Sequence, residues 1–130
     1  MREVVAGAVI SAGRLLLARR TYPPEVAGLW ELPGGKVEPG ETRGGALERE
    51  LAEELGIEVA AGEQIGVGVP LREDLSLVAL AATLVAGDPR PTEHSAVCWV
   101  DADALRQMAA AGELVPADAV WLDDLAGLLT

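Results

Sequence analysis

The chain has 130 residues, half of them hydrophobic, with 21 acidic against 10 basic side chains for a net charge of −11 and a pI near 4.4. A chain of that length carries one domain, residues 1–130, and that charge leaves no basic patch to displace counterions from a nucleic acid polymer. A lone cysteine excludes an internal disulfide, and the apolar runs are too short for a bilayer, so the expectation is a cytoplasmic protein with no membrane partner, monomeric or homodimeric.

Residues 3–10 are rich in β-branched side chains and read as a strand, which Ser11-Ala12-Gly13-Arg14 turns into a second strand over 15–19. Residues 20–28 contain Pro23-Pro24 and read as a loop. Arg19 and Arg20, where the strand runs into this loop, either reach a phosphate or a base or stand solvated at the strand end. Trp30-Glu31-Leu32 is a short extended piece that leads into Pro33-Gly34-Gly35. Glycine has no Cβ, so that stretch reads as a sharp turn or a close approach to a ligand, with a free carbonyl as an oxygen donor.

Residues 42–55 lack proline, and Leu47, Leu51 and Leu55 recur every four residues, which predicts an amphipathic helix stopped by Gly56. On it Glu50, Glu53 and Glu54 stand at i, i+3 and i+4. Three carboxylates on one face repel one another by about a few tenths of a kcal/mol per pair. A divalent cation reverses that sign, and Mg2+ is typically held by one or two carboxylates together with substrate phosphates. Arg49, four residues before Glu53, either holds that carboxylate or pairs with Glu41 at the end of the preceding loop.

Residues 57–69 read as a strand interrupted by Gly62, Gly66 and Gly68, 71–74 as a turn, 75–86 as a longer strand and 87–91 as a loop. A strand over 92–100 carries Cys98, expected as a buried small hydrophobe. Asp101 caps a helix over 102–111, and Pro116 opens a final helix through 129. That order predicts an α/β chain: a mixed sheet with a helix on each side.

Gly35, Glu41, Arg49-Glu50, Glu53-Glu54 and Gly56-Ile57 fall at the spacing of the Nudix box, and the chain resembles the Nudix hydrolases. Gly28-Leu29-Trp30-Glu31-Leu32-Pro33-Gly34-Gly35-Lys36-Val37-Glu38 is similar to the lead-in of the mutator-type members. Trp-Glu before the glycines, Glu93-His94 ahead of Trp99, and Val115-Pro116-Ala117-Asp118 look most like the CTP pyrophosphohydrolase branch. The resemblance implies a Nudix-type α/β/α sandwich that hydrolyses a nucleoside triphosphate to the monophosphate and pyrophosphate with Mg2+ or Mn2+.

Carried onto this sequence, the metal shell is Glu50, Glu53 and Glu54 with the carbonyl of Gly34 or Gly35, oriented by Arg49 and Glu41, with Gly56 closing the box. Glu50 and Glu93 are both candidates to take the proton of the attacking water. One mutator-type pattern places a glutamate directly before the late tryptophan. Here Cys98 stands there, which makes Glu93 its substitute. Arg20, Lys36 and Asp118 are expected against the substrate, with Asp118 either reading the base or capping the last helix. His94, the one histidine, is expected to order its loop rather than to ligate the metal, since oxygen-rich Mg2+ sites rarely use imidazole.

The implied substrates are cytidine nucleotides and oxidised or modified deoxynucleotides. The alternatives are 8-oxo-dGTP, a nucleoside diphosphate derivative such as ADP-ribose, or, in another class, a non-catalytic nucleotide-binding module. A broken box would mark the last, and this box is intact.

Overall fold

The structure, a computed structural model, describes residues 2–129. Strand β1 (Arg2–Ser11) sits inside the sheet and is apolar on both faces: Val5 and Val9 point one way, Ala6 and Ala8 the other. Ala12 and Gly13, both at positive φ, turn it into β2 (Arg14–Arg19), the geometry a two-residue hairpin prefers. The two strands pair only beside the turn, at Ile10↔Leu15 and Ser11↔Arg14, and then diverge.

The following segment fills the gap between them. Strand β3 (Trp30–Glu31) pairs with β2 through Ala18↔Glu31 and Arg19↔Trp30, and β4 (Gly34–Lys36) pairs with β1 through Ala6↔Gly34, Val5↔Gly35 and Val4↔Lys36. The turn expected at Pro33-Gly34-Gly35 is therefore a strand. The glycines serve close approach within the protein: a Cβ on Gly34 would overlap the Val5 carbonyl oxygen, and one on Gly35 the Glu50 carboxyl group.

Helix α1 (Arg43–Leu55) starts at Thr42, whose hydroxyl accepts from the Gly45 N–H at 3.0 Å, and stops at Gly56 in the left-handed conformation, φ 67°. It buries Ala46, Leu47, Leu51 and Leu55 against Val5, Val9 and Leu16. Each such leucine contributes about 1.5–3 kcal/mol as an upper estimate.

Strand β5 (Glu58–Arg72) runs antiparallel to β6 (Leu75–Ala86) with several register shifts, and it extends through Pro70 into the turn expected over 71–74. Strand β6 then lies parallel to β1 from Arg2↔Leu75 to Ile10↔Thr83, which makes the sheet mixed. Strand β7 (Ala96–Val100) pairs with β2. It is shorter than the strand expected over 92–100, because residues 92–95 bend over the end of α1.

Helix α2 (Ala102–Ala110) is capped by Asp101, whose carboxylate accepts from the Ala104 N–H at 2.8 Å. The single helix expected from Pro116 is two: α3 (Pro116–Ala119) and α4 (Leu122–Leu128). The break falls at Trp121, whose buried indole Nε1 donates to the Val67 carbonyl at 2.9 Å. A buried indole N–H needs that acceptor, and the chain bends to reach it. Leu105, Trp121 and Leu125 cover Ala6, Ala8, Leu15 and Leu17 on the face opposite α1. The result is an α/β/α sandwich. Among the described residues no helix is long and apolar enough to cross a membrane.

Candidate active site

Arg49 is the hub of the exposed face of α1. Its Nε and Nη2 donate to the two Glu41 oxygens at 2.8 and 2.9 Å, Nη1 to Glu50 at 3.0 Å and to Glu53 at 3.3 Å, and Nη2 also to the Lys36 carbonyl at 3.2 Å. Both alternatives for Arg49, pairing with Glu53 or with Glu41, are realised at once. The fork on Glu41 pulls that carboxyl down to about 2 and pushes the guanidinium up. Glu41 also accepts from the Glu38 N–H at 2.9 Å, so the loop ahead of the helix is tied to it.

The three box carboxylates share the helix face but not one environment. The Glu53 side chain is 61% exposed; that of Glu50, at 15%, lies over Gly35. Glu54 is turned into the protein, and its Oε2 is buried with no hydrogen-bond partner. Burial first, then the nearby Glu50 and Glu93 charges, push its carboxyl up to about 7.

The loop after β6 closes over Glu54. It is fastened to the end of α1 by the Arg90 N–H on Leu55 O at 2.9 Å and the Thr92 hydroxyl on Glu54 O at 2.8 Å, and to β2 by the Ser95 N–H on Arg19 O at 3.0 Å. Glu93 and His94 thereby join Glu54 and Gly34 around a polar cleft of about 80 Å³. Arg20 forms another wall. Its Nη1 donates to both Glu31 oxygens at 2.9 and 3.1 Å, and the second of these oxygens meets His94 Nε2 at 2.9 Å.

A larger cavity of about 390 Å³ adjoins this cleft, the two sharing Arg20, Tyr22, Glu31 and Gly34. Lys36 and Asp118 line it as well. Asp118 is 6% exposed and its Oδ2 accepts from the Leu32 N–H at 2.8 Å. Burial pushes it up to about 7 against that hydrogen bond. It does not cap the last helix: it lies inside α3, which starts after Val115 with no side-chain cap.

The sequence puts Glu50, Glu53 and Glu54 on one helix face with Arg49 and the loop residue Glu41 to orient them, and the structure brings Glu93, Gly34 and Arg20 to Glu54, with Lys36 and Asp118 one cavity away. Glu31 and Tyr22 were not singled out. Cys98 is only half-buried on β7, and burial pushes its thiol up, away from reactivity.

Among the described residues no three His, Cys, Asp or Glu side chains close on one point. The donors nonetheless fit a hard divalent cation held jointly with substrate. Glu54 offers a buried, unpartnered oxygen, the donor set is carboxylate rather than imidazole or thiolate, and Mg2+ takes only one or two carboxylates when phosphates complete its shell.

A glycine strand is thus laid against a carboxylate helix, inside an α/β/α sandwich and beside a cavity of about 390 Å³. The chain belongs to the Nudix family, whose NUDIX domain matches residues 1–125, and it is a pyrophosphohydrolase of that family. It is 48% identical over 129 residues to a Mycobacterium tuberculosis protein provisionally named 8-oxo-dGTP diphosphatase 2, covering 97% of this chain and 89% of that one. It is 39% identical over 128 residues to the CTP pyrophosphohydrolase of Escherichia coli strain K12, covering 95% and 90%. Its fold matches the solution structure of the E. coli ORF135 protein with a TM-score of 0.80 and 37% identity, over 98% of this chain and 90% of that one. Nudix hydrolases generally use divalent metal ions.

Proposed function

We propose that the protein hydrolyses a nucleoside triphosphate to the monophosphate and pyrophosphate, with cytidine nucleotides preferred and Mg2+ or Mn2+ as the ion. The observation that carries this is the shared wall: the cleft at Glu54 and the cavity at Asp118 adjoin through Arg20, Tyr22, Glu31 and Gly34, which sets one nucleotide's phosphates against Glu54 and its base against Asp118. A divalent cation bound there neutralises phosphate charge and acidifies the attacking water. One or two of the box carboxylates Glu50, Glu53 and Glu54 would hold it together with the substrate phosphates, and Gly34 or Gly35 would supply a carbonyl.

The protein's own groups do the remaining work. Arg49 fixes Glu50 and Glu53 from behind, and Glu41 keeps Arg49 in place. Glu50 is already bonded to Arg49, whereas no arginine engages Glu93 among the described ion pairs, so Glu93 is the freer group to take the water's proton. Arg20 is the cation that lines the Glu54 cleft, and Lys36, with no ion-pair partner among the described residues, lines the adjoining cavity.

Asp118 Oδ2 is fixed by Leu32, so the other oxygen reads the base. Ionised, it accepts from the cytosine amine. Uracil and thymine put a carbonyl at that place. Guanine offers N1 and N2 donors to the same oxygen, and the 48% identity to the M. tuberculosis protein favours 8-oxo-dGTP as the second reading.

The test is kcat/KM over CTP, dCTP, 8-oxo-dGTP, UTP and dTTP, with Mg2+ and with EDTA. Cytidine substrates lead those of uridine and thymidine by about tenfold or more, and Asp118→Asn loses most of that lead in a folded protein. Equal constants for CTP and UTP overturn the base assignment, and turnover undiminished in EDTA overturns the metal. A lead for 8-oxo-dGTP selects the second reading.

A further inference from the structure

Two buried side-chain polar atoms among the described residues lack a hydrogen-bond partner, Glu54 Oε2 and His94 Nδ1, and both residues line the same cleft. Glu54 has an occupant in the proposed function; His94 does not. Its side chain is only 9% exposed, and a buried polar atom left without a partner is destabilising, so the arrangement calls for one.

The tautomer follows from the neighbours. Glu31 takes two hydrogen bonds from Arg20, and an arginine-paired carboxylate is acceptor-only. The contact of 2.9 Å between Glu31 Oε2 and His94 Nε2 is therefore a hydrogen bond that Nε2–H donates. In the neutral ring Nδ1 is then a bare lone pair that can only accept. What it accepts from must be a donor; with a cation on the box carboxylates Glu54 gives up its proton, and it and Glu93, the two carboxyl-bearing neighbours in the cleft, then only accept. Water is the donor that fits. The cleft's volume of about 80 Å³ exceeds the roughly 10–15 Å³ that one water requires.

We propose that the chain Arg20–Glu31–His94 ends in a water-orienting lone pair: His94 Nδ1 accepts a hydrogen bond from the water that attacks the phosphoanhydride. The inference rests on the hydrolytic reading of this cleft. It gives the Arg20–Glu31 pair a task distinct from binding substrate, which is to fix one ring tautomer, as a carboxylate does behind a histidine in other hydrolytic sites.

His94 is the only histidine, so the ¹⁵N spectrum of histidine-labelled protein reports this ring alone. The expected result is a ring protonated at Nε2 and bare at Nδ1 without substrate present; a proton on Nδ1, in the other tautomer or in a doubly protonated ring, overturns the inference whatever the activity. Variants then separate holding from orienting. His94→Gln keeps a donor for Glu31 but nothing at Nδ1, whereas His94→Asn places an amide oxygen near Nδ1 and drops the Glu31 bond.

The expected outcome is a His94→Gln protein with wild-type melting temperature and KM and a kcat lowered about tenfold or more, and a His94→Asn protein that melts lower yet keeps the larger kcat. A kcat for His94→Gln equal to or above that of His94→Asn shows a ring that only ties its loop, and overturns the proposal. A wild-type protein that turns over none of the nucleotides overturns the functional reading instead, while the tautomer still stands or falls by its spectrum.

Discussion

Glu53 and Glu54 are neighbours in the chain, yet one carboxylate stands in water on Arg49 and the other is buried with an empty oxygen. A carboxyl held near 7 binds its proton more tightly folded than unfolded, so without a cation Glu54 destabilises the protein increasingly as pH rises from 4.5 and in full above about 7. Glu54→Gln keeps the shape and removes the charge. It is expected to melt higher than the wild type at pH 8 in EDTA, to lose the melting shift that Mn2+ with nucleotide gives the wild type, and to drop kcat by about 100-fold or more. Near-normal kcat in Mg2+ would take Glu54 out of the metal shell. The i, i+3, i+4 carboxylates and the Arg49–Glu53 pair were legible because their spacing is local. Glu31 was not: its partners Arg20 and His94 lie 11 and 63 residues away, and nothing in Trp30-Glu31-Leu32 marks its carboxylate as shared.

Among the elements, β4 carries two adjacent glycines with different duties. A Cβ on Gly34 would meet backbone, the Val5 carbonyl, which cannot move without opening the β1–β4 pairing. One on Gly35 would meet the end of the Glu50 side chain, which can swing aside. Gly34→Ala is therefore expected to destabilise by about 1–3 kcal/mol or more, read as a lowered midpoint in urea. Gly35→Ala costs less stability but displaces Glu50 from Arg49, so its loss shows in kcat. Similar midpoints for the two variants would refute this division. A glycine pair after proline reads as a turn by propensity alone, and only the splayed β1–β2 hairpin reveals it as strand. The single last helix was misread for a similar reason, since the acceptor that breaks it at Trp121 is contributed by Val67, 54 residues earlier. Helix α1 was read almost to the residue because its leucine repeat, its start after the loop and its glycine stop are all written within fifteen positions.

For the whole molecule, the titrating groups set an unusual optimum. Glu54 is raised from 4.5 to about 7 and Asp118 from 3.8 to about 7, both chiefly by burial. Between the ordinary and the raised values the folded state binds more protons than the unfolded one, so stability falls as pH rises through that window and the full penalty is present above it. Glu41 acts in the opposite sense: drawn down to about 2 by Arg49, it adds stability above 4.5 that is lost as pH falls toward 2. The net charge of −11 adds self-repulsion that acidification relieves. In EDTA the melting temperature should therefore peak at about pH 5 and decline toward pH 8, where metal and nucleotide restore part of it. A flat or rising profile from pH 5 to 8 would contradict the burial of these two carboxyls. The pairing of β1 with β6 has a further consequence, for the order in which the chain can acquire its site. Every residue of the box has been synthesised by Ile57, but the strand that flanks β1 from Arg2 to Ile10 begins at Leu75, and Asp118, which holds Leu32 in place, comes later still. Contacts of such sequence separation form late. A nascent chain released at residue 57 should give the circular dichroism of a coil and bind no Mn2+, although it contains the motif entire.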